Sequence, residues 1–259
     1  DLWLGAAGQP ETDLKLQAAE AIAEAHELGM DDLKNTVPLL VKLLEAEEAD
    51  HLVRLAAARA LIALDARESA AVLRAQIDRG LDLAQLIEPA LADWNEPSMR
   101  SVWLSRLKDG SASPGLWALA MQAAAKTNLT EAAPHLRDIV FDPKAAPHLR
   151  LEAAKALGAL GGGELIADGR TLLSQKEAGS YLLTSLLAAS LLTEQGGPEA
   201  EELLGELAVN PQPATAAIAL ERLIELDPQL ARPVLDHALA ASDPKLRTLA
   251  GEALFLLET

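Results

Sequence analysis

The chain has 259 residues, a formal net charge of −17, no cysteine and only 3% aromatic residues. It contains 51 alanines and 52 leucines against 8 valines and 8 isoleucines, which excludes a core built on β-sheet. Half of the residues are apolar, so the composition also excludes intrinsic disorder. The missing cysteine excludes disulfides, thiolate metal ligands and cysteine nucleophiles, and the acidity argues against bulk binding of phosphate backbones.

The sequence shows no signal for insertion into a membrane. The longest apolar stretch, residues 181–192, is interrupted by Thr184, Ser185 and Ser190 and is too short to span a bilayer. The chain begins at Asp1. A signal peptide has a basic segment followed by an apolar one, and the sequence shows no such pattern. We therefore expect a soluble protein, either cytoplasmic or exported after removal of a signal segment.

A repeat of about 33 residues runs through the chain. Counting from a position zero, small or leucine-type residues recur at +3, +4, +6, +7 and +10, a spacing that places them on one side of a helix. The alanines at +4 and +6 should let a neighbouring helix approach closely. The clearest copies have position zero at Lys15, Arg54, Arg150 and Arg247, and weaker copies have it at Ala84, Trp117, Thr184 and Pro213.

Each repeat predicts a pair of helices. The helix that carries the repeated positions is the second of its pair, and an amphipathic segment before it predicts the first helix. In chain order these first helices are expected at residues 32–45, 66–79, 98–108, 130–140, 164–174, 199–208 and 229–240. The prediction is an all-α solenoid of about eight helix pairs that forms a single repeat domain over residues 1–259, with residues 1–10 as an N-terminal extension.

The repeat resembles the HEAT-repeat family in its short form, as found in repeats of the phycobilin-lyase type. The resemblance is carried by Asp243 to Arg247 with Ala250 and Leu254, by Leu149-Arg150 with Ala153, Ala154 and Ala156 to Gly158, and by Val53-Arg54 with Ala57, Ala58, Ala60 and Leu61. The period is shorter than in most HEAT arrays, and Trp117, Thr184 and Pro213 stand where arginine is expected. The resemblance implies that the second helices line a concave inner face.

That implied inner face should display positions +1, +5 and +8 of each repeat. Three of the four tryptophans fall within 24 residues, and residues 54–108 carry eight basic against seven acidic residues. Tryptophan is enriched among interface anchors. We interpret Trp94 and Trp103 as core residues. The predicted binding residues are Leu55, Arg59, Trp117, Gln122, Leu151 and Lys155.

No catalytic or metal motif is evident in the sequence. The pair His26-Glu27 occurs once, whereas the HEAT-repeat iron hydroxylases hold their metal through several such pairs. The segment Ala-Pro-His-Leu-Arg occurs at residues 133–137 and again at 146–150, and proline in a first helical turn explains it without ligation by His135 or His148. We expect no cofactor, no bound metal and no catalysis.

Three functions fit the sequence. The leading hypothesis is a non-catalytic scaffold, either complete or a region of a larger protein, that binds a protein segment on its inner face. The second is a lyase or another chromophore-handling enzyme, which rests on the type of repeat alone. The third is a HEAT-like enzyme that binds nucleic acid through Arg59 and the tryptophans, and the acidity of the chain weighs against it.

Overall fold

The computed structural model describes residues 2–109, 112–162, 164–175 and 181–258. In these ranges the regular elements are α-helices and single 3-10 turns, and no strand is found there. The chain divides into two compact units, Asp1–Ala123 and Ala124–Thr259. None of the helices in the described ranges is both long and apolar enough to cross a lipid bilayer.

The first unit contains short first helices and longer second helices in alternation. A short α1 and the long α2 open it, and α8 runs across the boundary into the second unit. The helices are α1 (Leu2–Ala7), α2 (Thr12–Glu27), α3 (Val37–Glu45), α4 (His51–Ala63), α5 (Ala70–Arg74), α6 (Leu81–Asp93), α7 (Pro97–Lys108) and α8 (Pro114–Lys126). Helix α1 lies within the predicted N-terminal extension and packs on α2 and α3.

The second unit continues the same alternation. Its helices are α9 (Ala133–Phe141), α10 (Pro147–Leu160), α11 (Leu165–Ser174), α12 (Tyr181–Leu191), α13 (Pro198–Ala208), α14 (Pro213–Leu226), α15 (Pro228–Ala231), α16 (Leu235–Ala240) and α17 (Pro244–Glu258). The single helix expected at residues 229–240 is interrupted by a 3-10 turn at Arg232–Val234, because Pro233 cannot donate a helical hydrogen bond.

Helices of successive pairs pack in two layers. In the first unit α2 packs on α4 and α4 on α6, and in the second unit α10, α12, α14 and α17 pack in the same sequential way. The first helices form the other layer, since α3 packs on α5 and α11 on α13. First helices also contact their own second helices, as α3 contacts α4 and α9 contacts α10. The fold class is therefore an all-α solenoid of HEAT-like helix pairs, as the repeat predicted.

Small residues set the distance between neighbouring second helices. Ala153 and Ala154 of α10 are completely buried. An added Cβ at Gly158 would collide with the backbone carbonyl oxygen of Ser190 in α12, so the two helices are in contact at this point. The predicted role of the repeated alanines as positions of close approach agrees with this burial.

The cation at position zero hydrogen-bonds backbone carbonyl groups that precede its own helix. In two repeats the bonded carbonyls lie just beyond a first helix. Arg54 donates to the oxygens of Ala46 and Glu47 at 2.6 and 2.8 Å. Arg247 donates to the oxygens of Ala241 and Ser242 at 2.9 and 2.7 Å. Arg150 donates from Nε to the oxygen of Val140 at 2.8 Å. Lys15 reaches the oxygen of Pro10 at 3.3 Å. Carbonyls near a helix C-terminus have spare hydrogen-bonding capacity, and Arg54, Arg150 and Arg247 each donate to carbonyls in or just after the preceding first helix.

Position +11 ends the second helix in four consecutive repeats. Asp65, Asn95, Asn128 and Gly161 all have φ between 49° and 69°, in the left-handed region. The next residue then bonds back into the helix in three of them, for example Glu96 N to Leu91 O at 2.9 Å. Asparagine, aspartate and glycine tolerate this conformation best, which explains the residue types found at this position.

Candidate binding surface

Position +5 of the second helices is the exposed one. Six of these residues are exposed in the structure: Glu20, Arg59, Pro89, Gln122, Lys155 and Glu252. Ile218 is half-buried, and Ala189 is completely buried between its neighbours. Position +8 is less uniform, because Leu192 is buried while Phe255 is 67% exposed. Position +5 is therefore exposed in the five repeats from Glu20 to Lys155 and again at Glu252, whereas exposure at +8 varies from repeat to repeat.

The six predicted binding residues fall in both units. Arg59, Gln122 and Lys155 are exposed, and Leu55, Trp117 and Leu151 are half-buried. Leu55, Arg59, Trp117 and Gln122 belong to the first unit, whereas Leu151 and Lys155 belong to the second. Lys155 pairs with Glu152 on its own helix at 3.0 Å. Their membership of one binding site stays a prediction.

Arg59 lies in a groove between α2 and α4. The groove has a volume of about 310 Å³, and its floor contains the buried alanines Ala23 and Ala56. Its rim consists of Glu20, Glu24, Glu27 and Arg59, all of them exposed. The rim thus carries three carboxylates and one guanidinium. The near balance of charge along residues 54–108 does not describe this surface, because α2 contributes the glutamates from outside that stretch.

Trp117 occupies position zero, where three other repeats have an arginine. Its side chain is half-buried, and its indole Nε1 is buried with no hydrogen-bond partner in the part of the chain that the structure describes. Trp117 therefore lacks the hydrogen bond to a backbone carbonyl that Arg54, Arg150 and Arg247 make from the same repeat position. The exposed side chains of Arg59 and Gln122 are more accessible to a partner than this indole.

The starts of α4, α6 and α8 lie side by side along one edge of the first unit. His51 Nε2 of α4 contacts Asp82 Oδ2 of α6, and an added Cβ at Gly115 of α8 would touch Leu81 of α6. The hydrogen bond from His51 is the largest effect that holds the pKa of Asp82 below its ordinary value. Large apolar side chains are exposed along this edge, Leu52 at 57% and Leu81 at 44%.

Two ionic clusters that the sequence did not indicate each contain a buried carboxylate. In the first unit Glu88 is 1% exposed and accepts hydrogen bonds from Arg106 at 2.6 and 2.7 Å and from Trp103 Nε1 at 2.9 Å. Trp103 is completely buried, which confirms its assignment to the core, and Trp94 is half-buried. The second cluster joins Arg137 to Asp168. Spacing could not reveal these pairs, which are 18 and 31 residues apart in the chain.

The histidines do not gather with other ligands. Within the described ranges no group of three or more histidine, aspartate or glutamate side chains is arranged to hold a metal ion. His26 and His148 are exposed and His135 is half-buried.

The fold and the exposed face define a solenoid of HEAT-like helix pairs. No protein-family model matches the chain. No curated protein matches it either. Among solved structures, the complex of CpcE and CpcF of phycocyanin lyase from a Nostoc species is similar, at 17% identity and a TM-score of 0.47 over 97% of this chain and 93% of that chain.

Two further structures are similar over their whole length or most of it. Human deoxyhypusine hydroxylase matches at 17% identity and a TM-score of 0.37, over 99% of this chain and 83% of that chain. An archaeal HEAT-like repeats protein from Thermococcus onnurineus matches at 14% identity and a TM-score of 0.40, over 97% and 98%.

Proposed function

We propose that the chain is a non-catalytic interaction scaffold whose first unit binds a protein segment on the exposed face of its second helices. The observation that carries this proposal is the groove of about 310 Å³ between α2 and α4, with an apolar floor and a charged rim. Repeat arrays present such faces as extended binding surfaces. In the second unit, Leu151 and Lys155 mark the equivalent face.

The rim of the groove favours a basic segment. Glu20, Glu24 and Glu27 attract cationic side chains, and Arg59 offers one guanidinium for a carboxylate or a backbone carbonyl. Leu52 and Leu81 add exposed apolar area at the edge of the same unit. A protein segment with two or more basic residues and a few apolar ones matches this combination, whereas a nucleic acid backbone would be repelled by it.

Selection from a displayed library of random peptides, each about fifteen residues long, tests the proposal. We expect the peptides selected on the wild-type protein to be basic with apolar residues. Glu24→Lys should weaken their binding at least about tenfold, which is about 1.4 kcal/mol. The matched control is Glu68→Lys, since Glu68 is also exposed but lies on the first-helix side. Equal binding to wild type and to Glu24→Lys would place the site elsewhere.

Substitutions at the predicted residues refine the position of the site. Arg59→Ala and Trp117→Ala should each weaken binding of the same peptides, the second by at least about tenfold if the indole is an anchor. Raising the salt concentration from about 0.1 M to about 1 M should weaken binding as well, because the rim is exposed and screened. If Trp117→Ala unfolds the protein while Arg59→Ala binds normally, Trp117 is a core residue and the groove is not the site.

A further inference from the structure

A cavity in the second unit lies between the start of α9, the end of α10 and the start of α11. Its volume is about 340 Å³, within the range of small-ligand pockets. Apolar side chains and a glycine loop form part of its wall, and four charged residues form the rest. The lining consists of Ala133, Pro134, Leu157, Leu165, Gly161 and Gly162, together with Arg137, Asp138, Glu164 and Asp168.

The guanidinium of Arg137 is already occupied by carboxylates. Its Nη1 bonds Glu164 Oε2, and its Nη2 bonds Asp168 Oδ1 at 2.6 Å. These carboxylates raise the pKa of Arg137, with the hydrogen bond to Glu164 as the largest cause. The cavity therefore has three carboxyl groups and one arginine, and both terminal nitrogens of that arginine are hydrogen-bonded to carboxylates. An anionic ligand would fit this cavity poorly.

Asp168 is the most buried polar residue of the lining and is incompletely hydrogen-bonded. It is 3% exposed, and its Oδ2 has no hydrogen-bond partner among the residues that the structure describes. A buried acceptor without a donor is costly, and native proteins contain few of them. Burial raises the pKa of Asp168, and Arg137 opposes that rise.

The charged groups around Asp168 leave it short of positive charge. Arg137 and Asp138 come from α9, and Glu164 immediately precedes α11. Further along α11, Arg170 is engaged with Glu202 of α13 at 2.9 Å. On α10, which supplies Leu157 to the wall, Lys155 is engaged with Glu152. A donor that brings its own positive charge would satisfy the free oxygen and offset the surplus of carboxylates.

We propose that this cavity binds an organic cation, a primary ammonium or guanidinium group carried on a short apolar chain. The cationic group donates a hydrogen bond to Asp168 Oδ2, and the apolar chain packs on Ala133, Leu157 and Leu165. The same chemistry is offered by a free aliphatic amine and by a lysine side chain of another protein. The site is separate from the groove at Arg59, so the two proposals succeed or fail independently.

Calorimetric titration of the full chain tests the site with n-butylamine as the probe. We expect saturable binding of n-butylamine near neutral pH, and binding at least about tenfold weaker for butan-1-ol and for butyrate, which have similar size but no positive charge. Affinity for n-butylamine should fall as the pH is lowered through the pKa of Asp168, because the neutral carboxyl loses its charge. Equal affinity for the amine and the alcohol would overturn the proposal, as would the absence of saturable binding.

Variants locate the binding to this cavity. Asp168→Asn should weaken binding of n-butylamine at least about tenfold, whereas Asp138→Asn, which removes an exposed charge from the same lining, should change it less than about threefold. Ala133→Leu fills the cavity without altering a charge and should also abolish binding, which keeps the test valid if Asp168→Asn is poorly folded. Unchanged binding in both Asp168→Asn and Ala133→Leu would overturn the assignment.

A second probe distinguishes the source of the cation. The peptide acetyl-Ala-Ala-Lys-Ala-Ala-amide presents the same ammonium group on a protein backbone. Tighter binding of this peptide than of n-butylamine, lost in Asp168→Asn, supports a lysine of a partner protein. Tighter binding of the free amine with the same dependence on Asp168 supports a small-molecule ligand. Binding of the peptide that does not depend on Asp168 contradicts the proposed site.

Discussion

Glu88 in the first unit and Asp168 in the second are both buried carboxylates that face an arginine on another helix, yet their hydrogen bonding differs. Glu88 accepts from Arg106 with both oxygens and from the indole of Trp103, so neither oxygen is left over. Asp168 accepts from Arg137 with one oxygen only. Arg106 hydrogen-bonds Glu88 with both carboxylate oxygens as acceptors, whereas Arg137 divides its two terminal nitrogens between Asp168 and Glu164. The comparison shows that an arginine partner alone does not ensure that both oxygens of a buried carboxylate are hydrogen-bonded.

The largest expected effect comes from breaking the complete cluster. Glu88→Ala leaves Arg106, whose side chain is 11% exposed, without its carboxylate. Removing one partner of a buried ion pair costs about 3–5 kcal/mol of unfolding free energy. Urea denaturation measures this loss. The control Glu68→Ala, at an exposed site, should stay within about 0.5 kcal/mol of wild type, and a loss below about 1 kcal/mol for Glu88→Ala would mean that the pair contributes little.

The next largest effect is expected from enlarging a side chain in the closely packed second-helix layer of the second unit, compared with the same change at the cavity. Ala153 is completely buried in the second-helix layer, so Ala153→Leu should overpack the contact and cost about 1–3 kcal/mol. Ala133 lines the cavity of about 340 Å³, so the larger side chain of Ala133→Leu has free space to occupy and should cost less. Glu199→Ala, at an exposed position, serves as the control. Equal costs for both leucine variants in thermal or urea unfolding would show that the cavity closes or that the repeat register is wrong.

A smaller effect follows from the ionisation of Asp168. Its folded pKa lies above the ordinary value of 3.8, so its ionised form opposes folding. In wild type this penalty appears as the pH rises from about 3.8 through the folded pKa, and it persists above that. Because its partner Arg137 is 43% exposed, Asp168→Asn should change stability by no more than about 1 kcal/mol at pH 7. Its stability relative to wild type should decline as the pH is lowered through the same window. If the stability of Asp168→Asn relative to wild type instead rose as the pH was lowered, the folded pKa of Asp168 would not be raised.

The smallest effect, with the opposite sign, is expected at Asp82. The contact with His51 lowers its folded pKa below 3.8, so its contribution to stability is present above 3.8 and is lost as the pH falls through the folded pKa. Both side chains are about half exposed, and such pairs contribute little. Asp82→Asn should destabilise slightly at neutral pH, and the difference from wild type should vanish in acid. A difference that persists at low pH would indicate a structural role for Asp82.

The helical fold was predictable because the repeat spacing encodes it directly. Leucine and alanine at fixed offsets define a buried side, and the second helices appear where that pattern placed them. The first helices expected at residues 66–79 and 229–240 are interrupted by 3-10 turns. The role of position zero was not predictable, since an arginine at the start of a helix is equally compatible with an exposed side chain. Position +11 could have been read from the sequence, because Asp65, Asn95, Asn128 and Gly161 share a tolerance for positive φ.

The sites depend on contacts between distant parts of the chain, which spacing does not report. Arg59 lines one groove with glutamates that precede it by more than thirty residues, so a count of charge along the sequence did not describe its surroundings. The repeated segment Ala-Pro-His-Leu-Arg shows the same limit. Arg137 and Arg150 end identical pentapeptides, yet one pairs with carboxylates and the other donates to a carbonyl. Burial lowers the pKa of Arg150, whereas the pKa of Arg137 is raised.

The cations at position zero have a consequence for the mechanical behaviour of the chain. Arg54 and Arg247 each fasten a second helix to the chain just beyond the C-terminus of its own first helix, so a pulled chain should release helices in pairs rather than singly. With a repeat of about 33 residues and about 3.5 Å per extended residue, each release would lengthen the chain by roughly 115 Å, less the folded span of the pair. Under a steady stretching force the protein would then extend in nearly regular steps.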